Sequence, residues 1–130
     1  MNLGYTFVNV ETATHPSHLW FVVSHSDGAN RVVIVNVSSD NGGLDGLDGL
    51  DVGDHPWIRH YSFIRADRAM LSRVTAIEAA VSSGAAKRET AAMPATVTRL
   101  QIVLGKSNHT KREVKRILAD QGFITLPTSP

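Results

Sequence analysis

The sequence predicts an α+β fold in which a small β-barrel comes first and helices follow. Residues 1–40 contain runs of apolar, β-branched side chains, which are typical of strands. After residue 70, apolar side chains recur at helical spacing between start and stop signals. The chain has 130 residues and is 42% hydrophobic, which suits one domain. We therefore expect a single domain over 1–130, with the β portion over about 1–70 and the helical portion over about 71–122.

Three segments of the β portion are predicted strands: 5–10, 18–24 and 31–38. The Asp27-Gly28 pair between the second and the third is a turn signal, so these two strands should form a hairpin. Both are apolar at consecutive positions, which indicates that both faces are covered. This pattern favours a strongly bent, closed barrel or sandwich of about five strands over an open sheet.

Three copies of Gly-Leu-Asp follow within 42–51. A glycine at every third residue makes ordering costly in chain entropy, so a mobile loop is predicted over about 40–52. The alternative is a weak calcium site at the repeated aspartates, although the period does not match the nine-residue repeat of a calcium-binding β-roll. Extended structure should return over 55–64.

The helical portion has clear start and stop signals. Thr75 with Glu78 and Thr110 with Glu113 have the spacing of capping boxes, and Pro94 suits a first helical position. Glycines stand where the first and last helices should stop, at positions 84 and 122. Helices are therefore predicted near 75–83, 94–105 and 110–121.

Composition excludes several classes of protein. The chain has no cysteine, which removes disulfides, thiol nucleophiles and cysteine-based zinc sites. Its longest apolar runs, 19–23 and 32–35, are far shorter than the ~20 residues of a membrane-spanning helix. The first residues lack the pattern of a signal peptide. We expect a cytoplasmic protein with no membrane partner.

Charge is distributed unevenly along the chain. Residues 1–58 contain one basic and seven acidic side chains, whereas residues 59–130 contain twelve basic and five acidic ones. The basic half could meet a polyanion, or two faces of one domain could simply differ. The last two predicted helices resemble a helix-turn-helix in outline, with phosphate contacts from four basic residues on the second one, or these residues form only a solvated face. They are Lys111, Arg112, Lys115 and Arg116.

Five of the six histidines fall in the β portion. His15 and His18 have the spacing of a metal-binding pair, but residues three apart on a strand point to opposite faces, and no zinc-protease signature accompanies them. The sequence also lacks a Gly-x-Ser-x-Gly elbow and a basic glycine-rich phosphate loop. Neither a metal ion nor another cofactor is expected.

The order of segments resembles the PemK/Kid/MazF family of bacterial toxins, of the CcdB/MazF fold group. His18-Leu-Trp-Phe-Val-Val-Ser24 matches the family block of Arg-Pro, apolar residues and Ser, and Asn36-Val-Ser-Ser39 matches the later strand that ends in Pro-x-Thr-Ser. The family's functional Arg corresponds to His18 and its functional Thr to Ser38. The resemblance covers roughly residues 4–82 and implies an SH3-like barrel.

The resemblance further implies a metal-independent endoribonuclease of a toxin–antitoxin system, acting on single-stranded RNA, with an antitoxin protein as partner and a homodimer as its state. Histidine suits either proton transfer in RNA cleavage, a serine can donate a hydrogen bond to the phosphate, and an arginine can stabilise its charge. The predicted catalytic residues are therefore His18, Ser38, Arg59 and His60. Substrate contacts are predicted for His55, Trp57, Tyr61 and Arg65. The alternative function is a non-catalytic regulatory module that binds a protein, or DNA through its basic helices.

Overall fold

The computed structural model describes residues 1–44 and 48–126, and these form an α+β fold. Within those ranges the strands are β1 (Thr6–Asn9), β2 (Leu19–Val22), β3 (Arg31–Ser38), β4 (Gly49–Leu50), β5 (Ser62–Ile64), β6 (Met70–Arg73) and β7 (Ala86–Glu89). The helices are α1 (Val74–Ser83), α2 (Pro94–Lys106) and α3 (Arg112–Asp120), and a 3₁₀ helix (Ala66–Arg68) separates β5 from β6.

All seven described strands belong to one antiparallel sheet. Six of them follow the order β4-β5-β3-β2-β1-β7, and β6 pairs with β3 beside this path. The predicted hairpin is confirmed, because β2 pairs with β3 in the register Leu19–Val37 and Trp20–Asn36. The other edge of β3 is shared, since its end pairs with β5 and its beginning pairs with β6. The strand β3 therefore lies at the centre of the sheet.

Each face of the sheet packs against helices. One face of β3, with Val33, Val35 and Val37, forms a core with α2 and α3. The opposite face, with Val32 and Ile34, packs against α1 in a second cluster.

This arrangement corrects the predicted barrel, because the sheet is not closed and contains seven described strands rather than about five. The consecutive apolar positions of β3 are buried on both faces, as predicted. Helices rather than barrel closure provide the cover, and the sequence pattern of a strand does not distinguish the two.

The three predicted helices are confirmed, but their predicted capping boxes are wrong. The helix α1 begins at Val74 with Arg73 as its N-cap, and α3 follows Lys111, in each case without a side-chain capping bond. At α1 a tertiary contact replaces the cap, because the Val74 N–H donates to the Asn30 carbonyl at 3.0 Å. The predicted stop at Gly84 is confirmed by its left-handed backbone, φ 83°.

The described part of the 40–52 loop corrects another expectation. Gly49–Leu50 forms β4 against β5, and the Leu50 side chain is fully buried, so the end of this segment is packed. Residues 45–47, which complete the Gly-Leu-Asp repeat, lie outside the described residues. The predicted extended segment 55–64 is a strand only over Ser62–Ile64. No helix in the described ranges is long and apolar enough to cross a membrane.

Candidate functional site

An open groove of about 580 Å³ lies on the α1 side of the sheet, where α1 leaves the strands uncovered. Its floor comes from β2 and β3, and its walls come from the 10–17 loop and the end of the 3₁₀ helix. The lining residues are Asn9, Val10, Thr14, His15, Pro16, His18, Trp20, Asn36 and Arg68.

His18 and Arg68 form a hydrogen-bonded pair in this groove. Arg68 Nη1 lies 3.3 Å from His18 Nε2. A guanidinium group can only donate, so the imidazole accepts this bond at Nε2, and the neutral ring carries its proton on Nδ1. Arg68 is exposed and His18 is half-buried, so both can meet a ligand.

The surroundings of His18 favour its neutral form. Burial lowers the pKa of His18 below its usual 6.5, and the positive charges of Arg68 and, to a smaller extent, Arg65 lower it further. A hydrogen bond with the Val37 backbone acts in the opposite direction and ranks behind burial and Arg68. The ring is therefore neutral at pH 7, which is the protonation state of a general base.

Arg65 adds a fixed positive charge beside the groove. Its guanidinium binds the Asp67 carboxylate through two bonds of 2.8 Å, and it also donates to the Asp40 carbonyl. The backbone at Gly42 packs so closely on this guanidinium that an added Cβ would collide with it. Arg65 is buried, and it acts on the site by its charge.

Asn36 is the polar residue of the groove floor. Its side chain is 1% exposed, and neither Oδ1 nor Nδ2 has a hydrogen-bond partner among the described residues. It lies opposite Trp20 in the β2–β3 ladder, and both residues line the groove.

Asn9 holds the 10–17 loop against the strands. Its Oδ1 accepts hydrogen bonds from the His18 N–H at 2.9 Å and from the Trp20 indole at 3.2 Å. Its Nδ2 donates to the Pro16 carbonyl, and its own carbonyl accepts from the Ser17 hydroxyl. This one side chain therefore fixes two groove residues and the loop between them.

The loop brings His15 to the same groove as His18, which the strand-based expectation excluded. His15 lies in a turn rather than on a strand, where its N–H donates to Thr12 Oγ1 at 3.0 Å and its Nδ1 contacts Thr14 Oγ1 at 2.9 Å. His15 is exposed. The alternation rule failed here because it applies only to extended backbone.

Ser38 lies at the end of β3, one position beyond the Leu19–Val37 pair and thus next to His18 along the ladder. Its Oγ accepts a hydrogen bond from the Asp40 N–H at 3.1 Å, the contact of a serine that closes a turn. It is absent from the lining of the groove.

His55 lies in the interior on the other face of the sheet. It is 2% exposed and contacts Phe21 edge-on. Its Nδ1 accepts from the Trp57 N–H at 3.0 Å, and its Nε2 lies 2.6 Å from the Thr90 carbonyl. Both ring nitrogens are therefore engaged within the fold, and His55 does not line the groove. Its role as a substrate contact stays a prediction.

Most of the other predicted residues lie apart from His18. Trp57, Arg59 and His60 line a separate depression of about 500 Å³, which Glu89 also lines. Tyr61 is exposed and contacts the Phe63 ring edge-on. The predicted set of His18, Arg59 and His60 is therefore divided between two surfaces. Lys111, the N-cap of α3, and the three basic residues within α3 are exposed or half-exposed, and this helix packs against the face opposite the groove.

Sequence reasoning missed Arg68, Asn36 and His15 as groove residues. The only signal for Asn36 was a polar residue inside an otherwise apolar strand. Arg68 gave no local signal, because its contact with His18 spans fifty residues of chain.

No three His, Asp or Glu side chains within 1–44 and 48–126 are grouped as metal ligands. Comparisons of the chain with protein-family models, with curated proteins and with solved structures give no match.

Proposed function

We propose that this protein is a metal-independent endoribonuclease that cleaves single-stranded RNA in the groove around His18. The observation that carries the proposal is the His18–Arg68 pair, in which a neutral imidazole and a guanidinium lie 3.3 Å apart in an open groove. RNA cleavage through the 2′-hydroxyl needs a base and a cation of this kind at one phosphate. Arg68 supplies the guanidinium that the family resemblance lacks at position 18.

The proposed reaction proceeds in the groove as follows. Nε2 of His18 removes the proton of the 2′-hydroxyl, and the 2′-oxygen attacks the adjacent phosphorus. Arg68 turns from His18 to the phosphate and stabilises the extra negative charge. The bond between phosphorus and the 5′-oxygen breaks, and a 2′,3′-cyclic phosphate remains. His15 donates a proton to the departing 5′-oxygen, so the proton balance closes.

The proposal includes a cytoplasmic toxin with an antitoxin partner, a homodimeric state and kinship of its sheet with the SH3-like barrels. The β2–β3 hairpin supports the kinship, as does the position of His18 and Ser38 at adjacent strand ends. Ser38 remains a candidate donor to the phosphate after release from its turn.

Purified protein incubated with single-stranded RNA and a chelator tests the proposal. The wild type should shorten the RNA, and His18→Ala and Arg68→Ala should each reduce the rate by at least about a hundredfold. His60→Ala separates the two surfaces, because loss of cleavage in that variant alone would place the reaction at the 55–61 segment. If the wild type leaves the RNA intact and cells that express it grow normally, the proposed endoribonuclease activity is contradicted.

The second candidate function is a binding module that uses the basic surface of α3. The observation that favours it is that Arg112 and Arg116 of this short helix are exposed, as is its N-cap residue Lys111. A protein of this class binds DNA or a protein partner and leaves RNA intact.

A further inference from the structure

The Asn36 side chain is a buried amide that the protein itself does not use. Its oxygen and its nitrogen lack hydrogen-bond partners within the described part of the chain, although the residue is 1% exposed. A buried amide without partners lowers stability, and native structures keep few of them. Such a group therefore calls for a role outside the folded framework.

The surrounding strand shows that packing does not require the amide. The residues of β3 from 32 to 35 and residue 37 are all buried and apolar. A leucine at position 36 has the branched shape of asparagine, with two methyl groups in place of the amide oxygen and nitrogen, and no polar atom to satisfy. The β2–β3 register would be unchanged, because backbone groups form that ladder.

We propose that Asn36 and Trp20 form a nucleobase subsite beside the His18–Arg68 pair, in which the Asn36 amide pairs with the edge of an unstacked base. The proposal rests on the proposed function, because it assigns the part of the RNA that the groove recognises. An amide offers one donor and one acceptor side by side. The edge of every nucleobase offers the complementary pair, so both Asn36 atoms are satisfied at once.

Other ligands fit the amide less well. A phosphate group accepts hydrogen bonds only, and would leave Oδ1 unpaired. A metal cation would leave Nδ2 unpaired. The half-buried Trp20, directly opposite Asn36 in the ladder, adds an aromatic surface to the same groove, as in sites that bind single-stranded nucleic acid. Because Asn36 lies at the floor, the groove side chains must part when the base enters.

The subsite is tested by titrating the protein with each of the four nucleoside 5′-monophosphates and with ribose 5-phosphate. Nuclear magnetic resonance detects the binding. The wild type should bind at least one nucleotide about tenfold more tightly than the sugar phosphate. Asn36→Leu should remove this difference and leave the affinity for ribose 5-phosphate unchanged. Asn36→Ala, which removes the amide and leaves a smaller side chain, should give the same result and serves if the leucine variant does not fold.

Thr110 provides a matched control. Its Oγ1 is also buried without a hydrogen-bond partner in the described residues, but it does not line the groove. Thr110→Val and Asn36→Leu should both raise the melting temperature, and only Asn36→Leu should lose the nucleotide preference. A wild type that binds the sugar phosphate as tightly as every nucleotide would overturn the subsite, and so would an Asn36→Leu variant that keeps the preference.

These probes contain no linkage that the groove could cleave. If the protein prefers nucleotides in a way that depends on Asn36 but leaves RNA intact, the subsite is supported and the endoribonuclease proposal is contradicted. RNA cleavage without a nucleotide preference would do the reverse.

Discussion

At the scale of single residues, the environment of His18 makes a prediction about its titration. The Arg68 charge contributes to the lowered pKa of His18, after burial. Replacing Arg68 with glutamine removes a positive charge that disfavours the imidazolium, so the His18 pKa should rise towards 6.5. Titration of the His18 ring proton by nuclear magnetic resonance measures this.

Arg59→Gln is the matched control, because Arg59 lies in the separate depression and its loss should leave the His18 titration in place. If the groove cleaves RNA, the acid limb of the pH–rate profile should also move to higher pH in Arg68→Gln, since a base must be deprotonated. A His18 pKa that stays or falls in Arg68→Gln would contradict the assigned contact.

A second prediction concerns His15 as the proton donor to the leaving oxygen. His15→Ala should slow cleavage of ordinary RNA by about a hundredfold or more. The same variant should cleave RNA with sulfur in place of the scissile 5′-oxygen as fast as the wild type does, because a thiolate leaves without protonation. Rate measurements on both substrates test this, and an equal loss on both would assign His15 to positioning.

The site was only partly predictable at this scale. Residue chemistry indicated His18, because an imidazole near a strand end suits proton transfer. It did not indicate Arg68 or His15, because their proximity depends on the 3₁₀ helix and on the turn that Asn9 holds. At His55, the same chemistry that suits a substrate contact also suits two buried hydrogen bonds, and the sequence does not distinguish these two roles.

At the scale of elements, the 3₁₀ helix between β5 and β6 depends on the Arg65–Asp67 pair. Asp67→Asn would leave the buried Arg65 without its anion, and should lower the free energy of unfolding by about 1–3 kcal/mol. The Arg65 guanidinium holds the pKa of Asp67 below its usual 3.8. This contribution is therefore complete above pH 3.8 and is lost as the pH falls through the lower folded-state value.

Urea unfolding of the wild type and Asp67→Asn tests this at neutral and acidic pH. The difference between them should be largest at pH 7 and should narrow below pH 3.8. Asp54→Asn is the comparison. Its partner Arg99 is exposed, so this variant should lose less than about 1 kcal/mol of unfolding free energy. If the difference in unfolding free energy between the wild type and Asp67→Asn grows as the pH falls, the stabilising role of the ion pair is contradicted.

Elements with strong local signals were predicted, and those made by pairing were not. The hairpin and the three helices follow from apolar periodicity, Pro94 and Gly84. The strand β7 was missed because its Ala-Lys-Arg-Glu sequence lacks β-forming residues, and it forms through pairing with β1. The capping boxes failed because tertiary contacts set the start of α1.

At the scale of the whole molecule, the groove and α3 lie on opposite faces of the sheet. A long nucleic acid must pass around an edge to meet both. Replacing Lys111, Arg112, Lys115 and Arg116 with glutamine should reduce the slope of log affinity against log salt for a single strand of thirty nucleotides, by about 0.7 per lost phosphate contact. Affinity measurements over a salt series test this, and an unchanged slope would make α3 a solvated face.

The fold class was predictable at this scale, because strands dominate the first half and helices the second. Closure of the sheet was not, since burial of both faces of β3 is achieved here by α1 on one side and by α2 and α3 on the other.

The Asn9 contacts have a consequence for how the molecule moves. One amide ties the His18 backbone, the Trp20 indole and the Pro16 carbonyl together. Residues 15–20 should therefore reorient as one rigid body on the nanosecond timescale, although only the last two of them belong to a strand. Order parameters of this segment should match those of β2, and Asn9→Ala should release the loop while the sheet stays rigid.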